Sequence, residues 1–252
     1  MEEFKVVYTL TDNRFFRMQI ARSIKGLLKY VDKENVVCII NPASNSSFIK
    51  ELKKRVTVVD GNVFYHNLKL PKFKYKIEMC DVDAKSIIFL DCDTLVTRDI
   101  TELLDGEYDV YAREEPCRSI NGTMKPTWSQ KTWEYNLSLF NLSTKALPIN
   151  DGFVIFKNRT HQKIKRDFIK YYKMYHNKEI KSPNTADNMH HNEFALSMAI
   201  ANYNIKYMTE LEHWYGWRAE MYEKLPYVIH VGTNKSGLEG YLQNLKRFNY
   251  VS

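Results

Sequence analysis

Asp91 and Asp93 stand two residues apart, directly after the apolar run Ile87-Ile88-Phe89-Leu90. A strand that ends in two carboxylates at this spacing can bring both oxygens to one hard divalent cation. Oxygen ligands suit Mg²⁺ or Mn²⁺, and such an ion usually also holds substrate phosphates. The bland alternative is one Asp capping the turn and the other in water. It is the weaker reading, because two charges at the end of a buried strand are costly without a partner. In open α/β sheets ligands sit outside the carboxyl ends of strands, where these residues fall.

The elements that must place them alternate along the chain. Strands are predicted over Phe4–Leu10, Asn35–Ile40, Val56–Val59, Ser86–Leu90, Tyr108–Ala112, Gly152–Phe156, Ile205–Met208 and Tyr227–His230. Helices are predicted over Arg14–Tyr30, Ser44–Lys54, Pro71–Val82, Thr160–His176, Met189–Ala201 and Leu238–Phe248. This order implies βαβ units and a mostly parallel, Rossmann-like central sheet flanked by helices, with a C-terminal helical extension. The segment Arg113–Leu147, broken by Pro116, Gly122 and Pro126, reads as a long functional loop. No linker divides the 252 residues, so a single domain is expected. Its nucleotide-binding half is 1–110, ending in the Asp91/Asp93 motif, and 111–252 is its acceptor-side half.

Composition narrows the classes. Apolar residues make up 44 % and charged residues 27 %, which excludes disorder and a disulfide-knotted scaffold. Cys38, Cys80, Cys92 and Cys117 form no CxxC pair and read as reduced thiols. The N-terminus has no basic leader and long apolar run, and no stretch is long enough to span a bilayer, so a cytoplasmic location is expected. The net charge of +7 calls for an anionic partner.

Two enzyme classes place Asp-x-Asp after a strand. Haloacid-dehalogenase-type phosphatases carry it on the first strand and need a later Asp-Asp pair. Here three strands precede it and no such pair exists. Metal-dependent glycosyltransferases of the GT-A fold place a nucleotide-binding βαβ region before it, as this chain does. Over most of its length the sequence resembles the retaining GT-A enzymes grouped with glycogenin and the lipopolysaccharide galactosyltransferases. Val6-Val7-Tyr8-Thr9-Leu10-Thr11-Asp12 is similar to their first strand and base-binding turn. Lys76-Ile77 is similar to a donor-contacting Lys/Arg-Leu pair. Phe89 to Val96 is similar to the metal motif. Ile149-Asn150-Asp151-Gly152 resembles a Phe-Asn-Ser/Ala-Gly strand that lies along the donor sugar, and His230-Val231-Gly232-Thr233-Asn234-Lys235 resembles a His-x-Gly-x-x-Lys element.

The resemblance implies a metal held by Asp91, Asp93 and His230. It implies a nucleotide-sugar donor, by family habit a UDP-sugar, contacted by Tyr8, Thr9, Asp12, Lys76, Gly232 and Lys235. Gly232 would allow close backbone approach to a phosphate. It implies Asn150, Asp151, Asn192 and Glu193 near the reacting sugar, and transfer with retention. Two departures are visible: Asn192-Glu193 replaces an Asp-Gln pair, and Ser236-Gly237 replaces Pro-Trp after the Lys.

The acceptor is less constrained. Lys157, Arg159, Lys163, Lys165, Arg166, Lys170 and Lys173 crowd one helix, interleaved with Tyr171, Tyr172 and Tyr175. A second cluster runs through Lys50, Lys53, Lys54 and Arg55. Each alone is a solvated face, but together they suggest a phosphate track. The Asn/Lys/Tyr-rich composition resembles that of phage proteins, some of which glycosylate hydroxymethylated DNA bases. Lys125, Trp128, Lys131 and Trp133 in the long loop would then meet the acceptor, DNA or otherwise a glycan. The competing classes are a sugar nucleotidyltransferase or phosphatase and a non-catalytic nucleic-acid-binding protein. The first normally has a Gly-rich loop that is missing after Leu10. The second leaves Asp91, Asp93, His230 and Lys235 unexplained.

Overall fold

The computed structural model describes residues 3–10, 14–40, 46–61, 72–115, 129–183, 191–215, 224–231 and 246. Ten strands and six α-helices are defined among them. The strands are β1 (Phe4–Leu10), β2 (Val36–Ile40), β3 (Thr57–Asp60), β4 (Ser86–Leu90), β5 (Thr94–Val96), β6 (Val110–Glu114), β7 (Ile149–Phe156), β8 (Ile205–Tyr207), β9 (His213–Tyr215) and β10 (Val228–His230). The helices are α1 (Arg14–Leu27), α2 (Ser47–Leu52), α3 (Gln130–Leu139), α4 (Thr160–Lys163), α5 (Lys165–His176) and α6 (His191–Ile200).

Seven strands form the central sheet in the order β3-β2-β1-β4-β7-β6-β8. Only β7 runs against the rest. The predicted Rossmann-like sheet is therefore present, and its alternating side chains divide the core. Val7, Ile87, Phe89 and Val154 face α5 and α6. Val6, Tyr8, Ile88 and Leu90 face α1, through Ile20, Ile24 and Leu27. The strands buried on both faces are the continuous apolar runs of the sequence, as parallel sheets require.

Strand direction fixes where chemistry can gather. The carboxyl ends of β1, β4 and β6 and the amino end of the reversed β7 share one edge, since Leu90 pairs with Phe153 and Glu114 with Ile149. A second sheet, β5-β10-β9, stands beyond that edge. Its two short strands β5 and β9 are not predicted from sequence.

Other expectations are corrected. Residues 113–147 are not one irregular loop: Ser129 caps α3, accepting from the Thr132 amide at 3.3 Å. Trp133 is no acceptor contact, because its ring is buried and its indole N–H donates to the Ala146 carbonyl at 2.8 Å. The helix predicted at Pro71–Val82 is a 3-10 helix over Lys72–Asp81. Its residues Lys76 to Cys80 are all buried. Thr160–His176 divides into α4 and α5 at Ile164. Cys38, Cys80 and Cys92 are buried free thiols. Leu238–Phe248, Cys117, Lys125 and Trp128 lie outside the described residues, apart from Lys246.

Candidate active site

The apolar run of β4 ends at Leu90, and the next residues turn out of the sheet. The Asp91 amide donates to the Gly152 carbonyl at 2.8 Å, which ties the motif to β7. The Thr94 hydroxyl donates to the Asp91 carbonyl at 2.7 Å and contacts Ser23 Oγ at 3.2 Å. Ser23 in turn meets the Tyr8 hydroxyl at 2.8 Å. Tyr8 thus sits fully buried beneath the turn, and its side chain supports the site from below rather than facing a ligand.

The second sheet completes the centre. In the β10–β5 pairing His230 lies opposite Thr94, and the Val231 amide donates to the Asp93 carbonyl at 2.8 Å. His230 Nε2 consequently reaches Asp93 Oδ1 at 3.2 Å. One ligand atom each from Asp91, Asp93 and His230 lies within 4.8 Å of the others. Two carboxylate oxygens and an imidazole nitrogen suit Mn²⁺ or Mg²⁺ by donor chemistry.

The imidazole has two neighbours that fix its plane. It stacks on His213 with ring centroids 5.5 Å apart and an interplanar angle of 12°. It also lies over Gly152: a Cβ there would come within 2.7 Å of His230 Nδ1. The glycine is needed for close approach, not for an unusual backbone angle.

On the other side of Asp91, Lys76 Nζ lies 2.8 Å from Asp91 Oδ2 and 2.6 Å from Asp151 Oδ1. Asn150 accepts from the Gly152 amide at 3.0 Å. Its own amide donates to Glu193 Oε1 at 2.8 Å and to Glu115 Oε2 at 3.4 Å. Asn192, Glu193, Glu115, Asn150 and Asp151 are all buried, with Asn192 and Glu193 at the start of α6. The helix is buried all round, so these polar residues stand in the interior and not on a solvated cap. Glu115 escaped sequence reasoning. Its signal was the position just past β6, on the edge where β4 ends, which only the strand order reveals.

Charge is unevenly compensated. Burial pushes the Asp91 carboxyl up, against the pull of Lys76 and with help from the Asp93 charge. Burial also opposes the Asp93 charge, but His230 and their hydrogen bond hold its pKa below the ordinary value. Burial works against the Lys76 ammonium, yet Asp151 and Asp91 hold it firmly protonated. Burial disfavours the imidazolium too, but Asp93 lifts His230 from 6.5 to about 8.

A pH dependence follows. The raised folded pKa means that the metal-free protein gains stability from His230 in full below pH 6.5 and loses it as pH rises through about 8. The difference of 1.5 corresponds to about 2 kcal/mol. Urea unfolding in chelator should show this fall across pH 6.5 to 8, and His230→Gln should flatten it. An equal slope in both proteins would contradict the assignment.

The structure thus gathers Lys76, Asp91, Asp93, Asn150, Asp151, Asn192, Glu193 and His230 at one sheet edge. Thr9 is nearby, its carbonyl accepting from Cys92 Sγ at 3.3 Å. Asp12, Gly232 and Lys235 lie outside the described residues.

No protein-family model and no curated protein matches the chain. Solved structures do. The galactosyltransferase LgtC in complex with donor and acceptor sugar analogs superposes with a TM-score of 0.60 at 11% identity, covering 98% of this chain and 97% of that one. The glycosyltransferase GlyE of Streptococcus pneumoniae TIGR4 gives 0.61 at 14% identity, over 96% of this chain and 60% of that one. Mouse xyloside xylosyltransferase 1 gives 0.56 at 13% identity, over 92% and 98%. The chain has the GT-A glycosyltransferase fold. Within that GT-A frame the Asp91/Asp93 turn sits at the carboxyl edge of the parallel strands.

The basic cluster is engaged within the chain only in part, for Lys163, Arg166, Lys170 and Lys173 stay exposed. Arg159 pairs with Asp83 at 2.6 Å, Lys165 pairs with Asp81, and Lys157 donates to the carbonyls of Leu104 and Gly106. Tyr171, Tyr172 and Tyr175 are buried in the core and not interleaved with the cations on the surface. No helix among the described residues is long and apolar enough to cross a membrane.

Proposed function

We propose that the protein is a metal-dependent glycosyltransferase that moves a sugar from a nucleotide-sugar, a UDP-sugar by family habit, to a hydroxyl acceptor with retention of configuration. The observation that carries this reading is the gathering of Asp91, Asp93 and His230 ligand atoms within 4.8 Å, with Lys76 beside them, at the edge where this fold binds ligands. Residues 1–110 form the nucleotide side and 111–252 the acceptor side.

A bound Mn²⁺ or Mg²⁺ supplies electrostatic neutralisation of the departing nucleoside diphosphate. Asp91 and Asp93 would hold it through oxygen and His230 through neutral imidazole. Lys76 is assigned to donor oxygens by the resemblance, and Lys235 to the diphosphate. Thr9 and Asp12 are assigned to the nucleobase, with Gly232 giving the backbone room near the phosphates. The base side is therefore β1, and the sugar lies toward β7, where Asn150, Asp151, Asn192 and Glu193 offer a buried polar wall. Asn192 Oδ1 is buried without a hydrogen-bond partner among the described residues, which favours a donor group arriving there.

A glycan hydroxyl is the acceptor class we favour, because Tyr171, Tyr172 and Tyr175, the aromatic residues among the helix cations, are buried and present no stacking face to a base. Transfer of labelled sugar from a panel of nucleotide-sugars, with Mn²⁺ or chelator, tests the reading. Oligosaccharides and hydroxymethylcytosine DNA serve as separate acceptors. Mn²⁺-dependent transfer to a saccharide is expected. Transfer confined to DNA would move the acceptor to a modified base. Undiminished transfer in chelator, or neither transfer nor donor hydrolysis with any nucleotide-sugar, would overturn it.

A further inference from the structure

Lys76 is shared between two carboxylates. Its Nζ stands 2.8 Å from Asp91 Oδ2, 2.6 Å from Asp151 Oδ1 and 3.4 Å from the Asp151 carbonyl oxygen. The three side chains are only 11, 22 and 7 % exposed for Lys76, Asp91 and Asp151. Asp91 belongs to the group of three that can hold an ion, and Asp151 does not. One carboxylate of the centre is therefore in direct contact with a cation of the chain itself.

An ammonium and a divalent ion compete for the same carboxylate, and they also repel each other. The outcome depends on where else the ammonium can go. A buried lysine with no carboxylate beside it is very costly. Asp151 gives Lys76 a second partner that the ion does not use. Backbone geometry keeps that partner in place: Asp151 precedes Gly152, whose carbonyl accepts from the Asp91 amide at 2.8 Å. The strand residue that anchors the Asp91 main chain is thus the neighbour of the one that occupies the Lys76 side chain.

We infer that Asp151 is a positioning residue for the metal centre: as counter-ion it draws Lys76 away from Asp91 and thereby sets how tightly the divalent ion binds. This rests on the metal-dependent reading above. With Asp151 neutralised, Lys76 closes on Asp91 alone, and the ion must displace it. With Lys76 neutralised, Asp91 is released outright and Asp151 loses its leverage.

Calorimetric Mn²⁺ titration of the full chain, with no donor or acceptor, tests the idea independently of turnover. Asp151→Asn is expected to weaken Mn²⁺ binding about tenfold, and Lys76→Met to tighten it about as much, the scale of one screened charge at this range. In the Lys76→Met background, Asp151→Asn should change affinity by less than about threefold, since coupling between contacting residues is what a double-mutant cycle isolates. An equal Asp151→Asn penalty in both backgrounds would mean that Asp151 acts by its own field, and the inference would fall. So would weaker or unchanged binding in Lys76→Met, a measurement that decides the matter even if Asp151→Asn does not fold. Wild-type protein that binds no Mn²⁺, or binds it undiminished in Asp93→Asn, would sink the metal centre itself. Mn²⁺ binding that needs Asp93 but ignores Asp151 would sink only this inference.

Discussion

Asp93→Asn is expected to lower Mn²⁺-dependent sugar transfer by about a thousandfold while leaving the protein folded. The size follows from what the carboxylate does. An ion at a developing diphosphate contributes several kcal/mol of charge stabilisation, and each 1.36 kcal/mol is a factor of ten in rate. Asp93 supplies one of the three gathered ligand atoms and also orients a second ligand, since its Oδ1 meets His230 Nε2 at 3.2 Å. The amide keeps the shape but offers a neutral, weaker oxygen to both. The fold has little reason to suffer, because the Asp93 carbonyl still accepts from Val231 and β5 still pairs with β10. Initial rates across a Mn²⁺ series, with circular dichroism melts beside them, check the claim. Rates recovered in full at millimolar Mn²⁺ would reduce Asp93 to an affinity role, and rates near wild type throughout would remove it from the centre.

The sequence made the carboxylate half of this centre visible and hid the rest, for a physical reason. β4 was legible to the residue, Ser86–Leu90, because a strand buried on both faces is an unbroken apolar run, and its end announces where charges emerge. The pairing that carries His230 to Asp93 is different. It joins β5 and β10, three residues each and more than a hundred positions apart, and nothing local encodes their register. His230 could be named from the sequence only through a resemblance. Glu115 had no such help and stayed hidden until the order β4-β7-β6 placed the end of β6 beside Asn150. The tyrosines of α5 misled for a related reason. A helix with Phe168, Tyr171, Tyr172 and Tyr175 on one side and lysines on the other is amphipathic, and its aromatic side is core. The interleaving seen along the chain separates into two faces once the helix forms.

The substitution with the largest structural consequence is the smallest one, Gly152→Ala. A Cβ at this position would meet His230 Nδ1 at 2.7 Å, closer than real Cβ atoms come to anything, and Asn150 Oδ1 at a tight 3.1 Å. Neither neighbour can yield freely. The imidazole is stacked on His213, itself edge-on to Phe153 at 5.4 Å, and Asn150 is held by Glu193 and Glu115. Overpacking in such surroundings costs about 1–3 kcal/mol. Whatever relief occurs must come from the ring, which moves a ligand nitrogen off its position. Displacing the support of a metal-bound histidine typically costs 10–100-fold in affinity, so Mn²⁺ binding should weaken by roughly that factor. Urea unfolding and Mn²⁺ calorimetry read the two effects separately. His230→Ala in the same chain supplies the decisive comparison: with the ring gone, Gly152→Ala should cost less than about 1 kcal/mol, since most of its penalty is the clash. If the penalty is undiminished in that background, the strand rejects the methyl group for some reason other than the histidine, and the tight seating of the imidazole on β7 is not what fixes the ligand.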